Sequence, residues 1–464
     1  MKKRLVDKIA KSRVWGSIVR HGYPDTNRNR ALLVFSNLFL HLHPVKARVR
    51  AFAFRTTFYL GGLSAACFLL LVVSGALLMF YYRPASAHAY DDMKDIEFVV
   101  FTGMFQRNIH RWAAHTMVAL VFVHMAVTFY RKAYRSPREF NWLIGVGLFV
   151  GTVLLSYTGY LLPWDQLAYW AVTVGVNMGG ATPFIGDDIR RLLLGGNAIG
   201  DATIVRFYVL HCVVLPLVVL VGIALHIWRI RKDGGLHLPP MARTDATPET
   251  TDATHRSAKD DAEPMAMTYP HLLLREGIAF VAITLGLSLW SMLADAPLEQ
   301  LANPERTPNP AKAPWYFLGL QELLHYYAPA ISGVFLPLLM LVALAIIPYF
   351  DVNSERLPLW RQDRPRRFAA LWAAVGIGTA VLWWSGAHPV FPMMGPLWGV
   401  GVLMSAGAFL RPSHRWLRAL TERSLPFWIF TWFLIVAVTL TIVGIFFRGP
   451  GWTFVLPWRD GLYL

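Results

Sequence analysis

Nine stretches of mostly apolar residues punctuate the chain, at 57–82, 109–130, 142–162, 207–228, 272–294, 330–350, 368–387, 394–410 and 426–447. Each approaches or exceeds the roughly 20 residues that a helix needs to cross a hydrocarbon core about 30 Å thick. Buried in lipid, such a segment has to satisfy its backbone internally, and a helix does so within itself. The expected fold class is therefore all-α: a polytopic membrane protein of about nine transmembrane helices. Composition agrees, since 55% of the 464 residues are hydrophobic and only 16% charged, with mean hydropathy +0.42.

The 44 Lys and Arg residues fall mainly into alternate connecting segments, and such segments mark the cytoplasmic side. This places the N-terminus inside and the C-terminus outside; a bacterial cytoplasmic membrane is the expected location. The net charge of +16 is then a topology signal and not a nucleic-acid footprint, because the positives are dealt out loop by loop. Residues 1–56 read as a basic segment on the inner surface, whose short apolar piece ALLVFSNLFL suits a helix lying in the interface. Residues 233–268, rich in Thr, Asp, Ala and Pro, read as a flexible linker. It divides a four-span domain, 57–232, from a second lobe comprising a three-span domain, 269–387, and two further spans with an aromatic tail, 388–464.

The second span carries His110 and His124, fourteen residues apart; at 100° per residue they share a face to within about 40°. The fourth span carries His211 and His226, fifteen apart and within about 60° of one face. Each pair is separated by roughly 21 to 22 Å along its helix, most of the membrane thickness. Because these two spans run in the same direction, His110 and His211 lie at the outer depth, His124 and His226 at the inner. Two histidine pairs at two depths meet the needs of two six-coordinate haem irons, each taking one imidazole from each helix.

The two alternate spans carry glycines at the same interval, Gly61 and Gly75 in the first, Gly145 and Gly159 in the third, where a flat ring can approach the backbone. Arg107, Arg111 and Arg206 lie about a turn from the outer ligands, Arg229 and Arg231 about a turn from His226, placed to meet haem propionates. Any one of these residues is more often a polar bridge or a packing position; the matching spacings on alternate helices favour the four-helix di-haem bundle. His115, His325, His388, Cys67 and Cys212 are read as structural. With two cysteines and no CxxCH run, neither a disulfide framework nor a covalent c-type haem is expected.

The segments FYLGGLSAACF, RNIHRWAAH, GYLLPWDQLAYW and RFYVLHCVVLP resemble cytochrome b of the quinol:cytochrome c oxidoreductase (cytochrome bc, Rieske) family, over roughly residues 50–385. The spacing of fifteen is most similar to the chloroplast-type branch, in which a four-span cytochrome b and a three-span subunit IV are separate chains; here they are fused. The resemblance implies a di-haem subunit with two non-covalent haem b. It would oxidise quinol outside with a Rieske [2Fe–2S] partner and reduce quinone inside. It would pass electrons on to a c-type cytochrome or equivalent acceptor and move protons across the bilayer, in a homodimeric complex. A di-haem b-type anchor of a dehydrogenase or hydrogenase is the alternative, and a cofactor-free transporter the more distant one.

The resemblance also assigns sites. Where the branch has a cysteine holding an extra covalent haem, this chain has Tyr59, so no covalent haem is expected. The outer quinol motif, Pro-Glu-Trp-Tyr in the family, stands here as Ala313-Pro314-Trp315-Tyr316, with its acid missing. Trp315 and Tyr316 remain candidates for that site, with Glu322 either the replacement proton acceptor or an exposed carboxylate at a loop end. Arg275 and Glu276 are the candidates for the inner quinone site.

Overall fold

The computed structural model describes residues 8, 12, 13, 17, 24–37, 40–233, 235, 264–353, 358–361, 363–384, 390–410 and 421–463. Its helices are, in order, α1 (Asn27–Ser36), α2 (Leu60–Met79), α3 (Ala89–Phe98), α4 (Gly103–Tyr130), α5 (Glu139–Tyr160), α6 (Gln166–Gly180) and α7 (Gly186–Leu194). There follow α8 (Asp201–Lys232), α9 (Thr268–Leu293), α10 (Trp315–Tyr326), α11 (Ala330–Phe350), α12 (Arg364–Trp384), α13 (Val390–Phe409) and α14 (Leu425–Phe446). Among the described residues eight helices are long and apolar enough to cross a membrane: α2, α4, α5, α8, α9, α11, α12 and α14. The ninth expected span is α13, whose described apolar stretch, Met394–Phe409, is shorter. Most of the expected linker, and His388, lie outside the described residues.

The chain divides into two units, the first of residues 1–78, 102–153 and 216–296, the second of 79–101, 154–215 and 297–464. In the first, α4 packs on α9, and α9 turns a stripe outward: Leu274, Ile278, Val281, Leu285 and Leu289 are each more than half exposed. That stripe follows the helical repeat and is the surface expected of a helix facing lipid. The α5 and α8 backbones approach closely here, for a Cβ on Gly151 would lie 2.8 Å from Val219 and one on Gly222 the same distance from Leu148. An element that sequence periodicity gave no sign of is a short antiparallel pair, β1 (Lys46–Arg48) with β2 (Met265–Met267), in the register Ala47↔Ala266. It closes a small core of Ala47, Phe52 and Leu272, and Tyr59, held at φ 53, donates its hydroxyl to Phe52 O at 2.7 Å.

In the second unit the connections between spans are themselves helical. Asp165 caps α6, accepting from Ala168 N at 2.8 Å, which gives the PWDQ sequence a local cause: a short acceptor at the N-cap satisfies an otherwise orphaned backbone donor. Helices α6 and α7 pack together, as do α10 with α14 and α12 with α13.

Among the described residues two helices contain a π turn, at Leu210–Val214 in α8 and Ala330–Phe335 in α11. A π turn takes up one residue more than an α turn. The fifteen-residue interval from His211 to His226 therefore counts round the helix as the fourteen of α4, and the difference between the two spacings has a physical origin.

Candidate functional site

In the first unit His124 of α4 and His226 of α8 stand with ring centroids 6.4 Å apart and planes at 79°. Ring nitrogens sit roughly 1 Å from the centroid, so the two imidazoles are too far apart for a hydrogen bond between them. Each is braced by a glycine: a Cβ on Gly61 would lie 3.3 Å from Cε1 of His124, and one on Gly145 3.5 Å from Cε1 of His226. The gap fits an ion between the rings. Metal–imidazole bonds of about 2 Å on opposite sides of one ion, with about 1 Å more to each centroid, give a separation of roughly 6 Å. Among the described residues no three His, Cys, Asp or Glu side chains converge, so the protein offers two donors here. His124 and His226 would suit an iron whose other donors a porphyrin supplies, a group that would carry one electron at a time.

The other two histidines are described each in its own unit. In the first, the Ser74 hydroxyl donates to Leu70 O at 2.8 Å and lies 2.9 Å from Nδ1 of His110. With its one proton given to Leu70, the hydroxyl accepts from Nδ1–H. In the second, Nδ1 of His211 lies 3.1 Å from Leu155 O, a pure acceptor, and 3.3 Å from the Thr158 hydroxyl. Both contacts put the proton on Nδ1 and leave Nε2 with a lone pair, the tautomer that ligates a metal. A glycine faces each ring again: a Cβ on Gly75 would stand 3.0 Å from Cε1 of His110, and one on Gly159 2.8 Å from Nε2 of His211. The four glycines thus brace the four imidazoles one to one. Ser74 and Thr158 were not singled out from the sequence, although a signal exists: a hydroxyl residue directly precedes each of Gly75 and Gly159.

The expected arginines have partners in the protein. Arg107 is buried and donates to Ala296 O at 2.5 Å, and Arg206 donates to Ala202 O at 3.3 Å. Arg111 is half-buried one turn beyond Arg107. Arg229 pairs with Asp233 at 2.8 Å, and Arg231 donates to His41 O. Asn108, next to Arg107, is a residue the sequence did not reveal. Buried, it donates to Ser291 O and Asp295 and accepts from Ala296 N, fastening the start of α4 to the end of α9.

In the second unit the PWDQ turn is joined to the loop that leads to α10. Asp165 accepts from Glu299 N at 3.1 Å, and Gln166 N donates to Gln300 O at 2.8 Å. Ala313 N donates to Gln321 Oε1 at 2.9 Å and Gln321 Nε2 to Ala311 O at 2.6 Å, folding the motif back on its own helix. Trp315 and Tyr316 are half-buried at the start of α10, with ring centroids 5.4 Å apart. Glu322 is no exposed loop-end carboxylate, as one of the two sequence readings had it: it is fully buried. It accepts from the Arg448 guanidinium, Nε lying 3.1 and 3.0 Å from its two oxygens, and from Trp452 Nε1 at 3.0 Å. Its partner lies 126 residues along the chain, which is why periodicity gave no warning of it.

The last pair of candidates lies in the first unit. Arg275 donates to Phe52 O at 2.8 Å. Glu276 is half-buried against α2, its Oε1 3.6 Å from where a Cβ on Gly62 would stand. That contact is one residue from Gly61, which braces His124.

Comparison with known proteins assigns two stretches of the chain to families. Residues 46–234 match the family described as cytochrome b/b6/petB, and residues 301–409 the family described as cytochrome b(C-terminal)/b6/petD. Cytochrome b6 of Synechococcus sp. (strain JA-3-3Ab) is 42% identical over 175 residues, covering 38% of this chain and 81% of the relative. Cytochrome b6 of Gracilaria tenuistipitata var. liui is 43% identical over the same length, again 81% of the relative. Among solved structures, a chain of a hyperthermophilic respiratory Complex III shares the fold, with TM-score 0.54 over 84% of this chain and 91% of that one, at 21% identity. The chain is a multi-pass membrane protein of electron transport that belongs to the cytochrome b/b6 family, with a cytochrome b6-type half and a subunit-IV-like half in one polypeptide.

Proposed function

We propose that this chain is the di-haem cytochrome b subunit of a quinol:cytochrome c oxidoreductase in a bacterial cytoplasmic membrane, N-terminus inside. His124 and His226 hold the inner of two non-covalent haem b, and His110 and His211 the outer. The observation that carries this reading is the one-to-one bracing of the four histidines by Gly61, Gly75, Gly145 and Gly159, together with the open gap between the inner rings. Bound there, the haems would supply one-electron carriers at two depths of the membrane.

The protein's own part is to position and to hold charge. Ser74, Thr158 and the Leu155 carbonyl keep the proton on Nδ1 of the outer ligands, fixing ring orientation before any ligand arrives. Arg107, Arg111 and Arg206 supply positive charge at the outer level, where propionates would lie. Trp315 and Tyr316 border the outer quinol site, facing a Rieske [2Fe–2S] partner and a c-type cytochrome or equivalent acceptor. Glu276, with Arg275 beside it, borders the inner quinone site, where a half-buried carboxylate among apolar helices can hand a proton to reduced quinone. The domains follow the function, with residues 57–232 as the haem bundle and 269–387 as the quinol-site half, in a homodimeric complex.

The test is the purified complex. Two b-type haems per chain, seen in reduced-minus-oxidised spectra, and quinol-dependent reduction of a c-type cytochrome with a copurifying Rieske protein are expected. One haem or none per fully loaded chain overturns the haem assignment; two haems without quinol:cytochrome c activity or Rieske protein point to a dehydrogenase or hydrogenase anchor.

A further inference from the structure

The aromatic tail after α14 has no part in the function proposed above, yet the structure ties it to the quinol-site helix at one point after another. Residues 447–455 fold into a tight turn, with Val455 N donating to Phe447 O at 3.1 Å and Gly449 N to Thr453 O at 3.1 Å. Gly451 and Trp452 both lie in the left-handed region, at φ 65 and 57, a conformation that a tryptophan adopts only where its surroundings hold it. Within the turn Arg448 donates to the backbone oxygen of Trp452 at 2.9 Å.

Thus assembled, the turn presents two donors to one carboxylate. The Arg448 guanidinium and Trp452 Nε1 both reach Glu322 of α10, and the same guanidinium donates to the Tyr326 hydroxyl, one helical turn further on, at 2.7 Å. Glu322 is fully buried and the Arg448 side chain nearly so. The loop before α10 is held from the same side. Lys312, directly ahead of the motif, donates to Ile445 O at 2.9 Å and also to Tyr463 O. Asn309 accepts from Gly451 N at 2.5 Å. Between these two anchorages α10 lies close on α14: a Cβ on Gly444 would stand 2.9 Å from Leu318, and one on Gly319 3.1 Å from the Thr441 hydroxyl. The segment Ala313–Tyr316 therefore sits between Lys312 on one side and Glu322 on the other, and both are clamped by the chain beyond residue 444.

We infer that the C-terminal segment is a latch, and that Arg448 is a positioning residue for quinol oxidation, setting Trp315 and Tyr316 through the Glu322 carboxylate and the helix that carries it. The inference rests on the reading of Ala313–Tyr316 as a border of the outer quinol site. Glu322 lies six residues from Tyr316 on one helix, about 9 Å along its axis, so displacement at Glu322 is passed rigidly to the aromatic pair. A reacting group misplaced by about 1 Å can lose on the order of a hundredfold in rate. Glu322 has both oxygens engaged as acceptors already, so its part is to hold the helix.

The experiment uses the whole complex, comparing wild type with Arg448→Gln and Arg448→Lys. It reads b haem per chain, quinol oxidation per b haem with kcat and KM separated, and the pH profile of turnover. Arg448→Gln is expected to keep both haems and lose tenfold or more in turnover per haem, with the pH profile unchanged in shape, and Arg448→Lys to recover part of the loss. A merely structural role would lower the amount of complex and leave turnover per haem alone. Arg448→Gln complex with full haem and undiminished turnover overturns the latch while leaving the quinol reading intact, whereas a wild type that oxidises no quinol ends both. If Arg448→Gln does not assemble, Trp452→Phe and Lys312→Met decide, each removing one donor. Turnover per haem lowered several-fold in either, with haem retained, supports the latch; both unchanged, or neither assembled, overturns it.

Discussion

Each unit holds a polar pair, half-buried in the first and sealed in the second, and the two are built on opposite plans. His124 and His226 are two imidazoles whose centroids stand 6.4 Å apart, too far to satisfy one another, each backed by a glycine and with no acid among the described residues to complete a three-donor site. Glu322 and Arg448 are closed on each other, with Trp452 and Tyr326 taking up the remaining positions. The first pair is half-buried and its rings do not reach each other, so a partner from outside the chain has room to join them. The second has its counter-charge and its hydrogen bonds inside the protein. An open pair is a site and a closed pair is a joint, and the difference lies in who supplies the final partner.

The contrast breaks most easily at the open pair. Replacing His124 by Leu removes an axial donor that nothing nearby replaces. We expect haem b to fall from two per chain to one or fewer, and quinol turnover to fall a hundredfold or more, as measured by haem spectra of the purified complex. His226→Leu should do the same. A His124→Leu complex that retains two haems would show that the rings are not ligands and that the open geometry means something else.

At the closed pair the expected loss is of stability. Removing one member of a fully buried ion pair leaves the other uncompensated, at about 3 to 5 kcal/mol, so Arg448→Ala or Glu322→Ala should lower the melting temperature of the complex by several degrees. Replacing both together, as Glu322→Leu with Arg448→Met, should recover most of that stability, since an apolar pair of similar volume does not carry the desolvation of two charges. If the joint is also a latch, the double variant regains its melting temperature without regaining wild-type turnover. Equal melting temperatures for the two single variants and the wild type would mean that the ion pair contributes nothing to the fold.

These two pairs also differ in how they are written in the sequence. His110, His124, Gly61, Gly75, Gly145 and Gly159 repeat at an interval set by helix geometry, so one helix at a time displays them, and the apolar runs fix which segments are helices. The interval of fifteen in α8 was visible, but its cause, a π turn at Leu210–Val214, was not, because no local composition marks where a helix takes up an extra residue. The β1–β2 pairing, the hydrogen bonds of Asn108 and the Arg448–Glu322 contact join segments more than a hundred residues apart. Nothing in the periodicity of one segment names its partner in another. Glu322 shows the consequence, because its position near the membrane margin was plain while its burial depended on a tail to which the sequence assigned no role.

The glycines sharpen the open-pair half of the comparison, since the space each keeps clear differs. A Cβ on Gly159 would come within 2.8 Å of His211 Nε2, on Gly75 within 3.0 Å of His110, on Gly61 within 3.3 Å of His124 and on Gly145 within 3.5 Å of His226. Overpacking of this kind costs roughly 1 to 3 kcal/mol, and alanine returns up to about 1 kcal/mol of helix propensity. Haem retention under mild heating should therefore fall in the order Gly159→Ala, Gly75→Ala, Gly61→Ala, with Gly145→Ala close to wild type. If Gly145→Ala lost haem as readily as Gly159→Ala, the glycines would be answering to the macrocycle and not to the imidazoles.

A third pair, this one ionic, is the control for the closed one. Arg83 and Asp92, both in the second unit, meet at 2.5 Å, but the Arg83 side chain is 61% exposed while Asp92 is buried. The hydrogen bonds from Arg83, chiefly those of its side chain, hold the Asp92 carboxyl below the ordinary carboxylate range against the opposing effect of burial. A carboxyl lowered in the folded state contributes stability that is complete above its unfolded pKa and disappears as pH falls through the folded value. Asp92→Asn should therefore melt slightly below wild type at neutral pH, the difference should close as the solution is acidified past the folded carboxyl pKa, and added salt should shrink it at any pH because the guanidinium faces solvent. Salt should leave the Arg448→Ala difference almost untouched, since no solvent separates that guanidinium from its carboxylate. An Asp92→Asn difference that ignored both acid and salt would remove the distinction between an ion pair at the surface and one sealed inside.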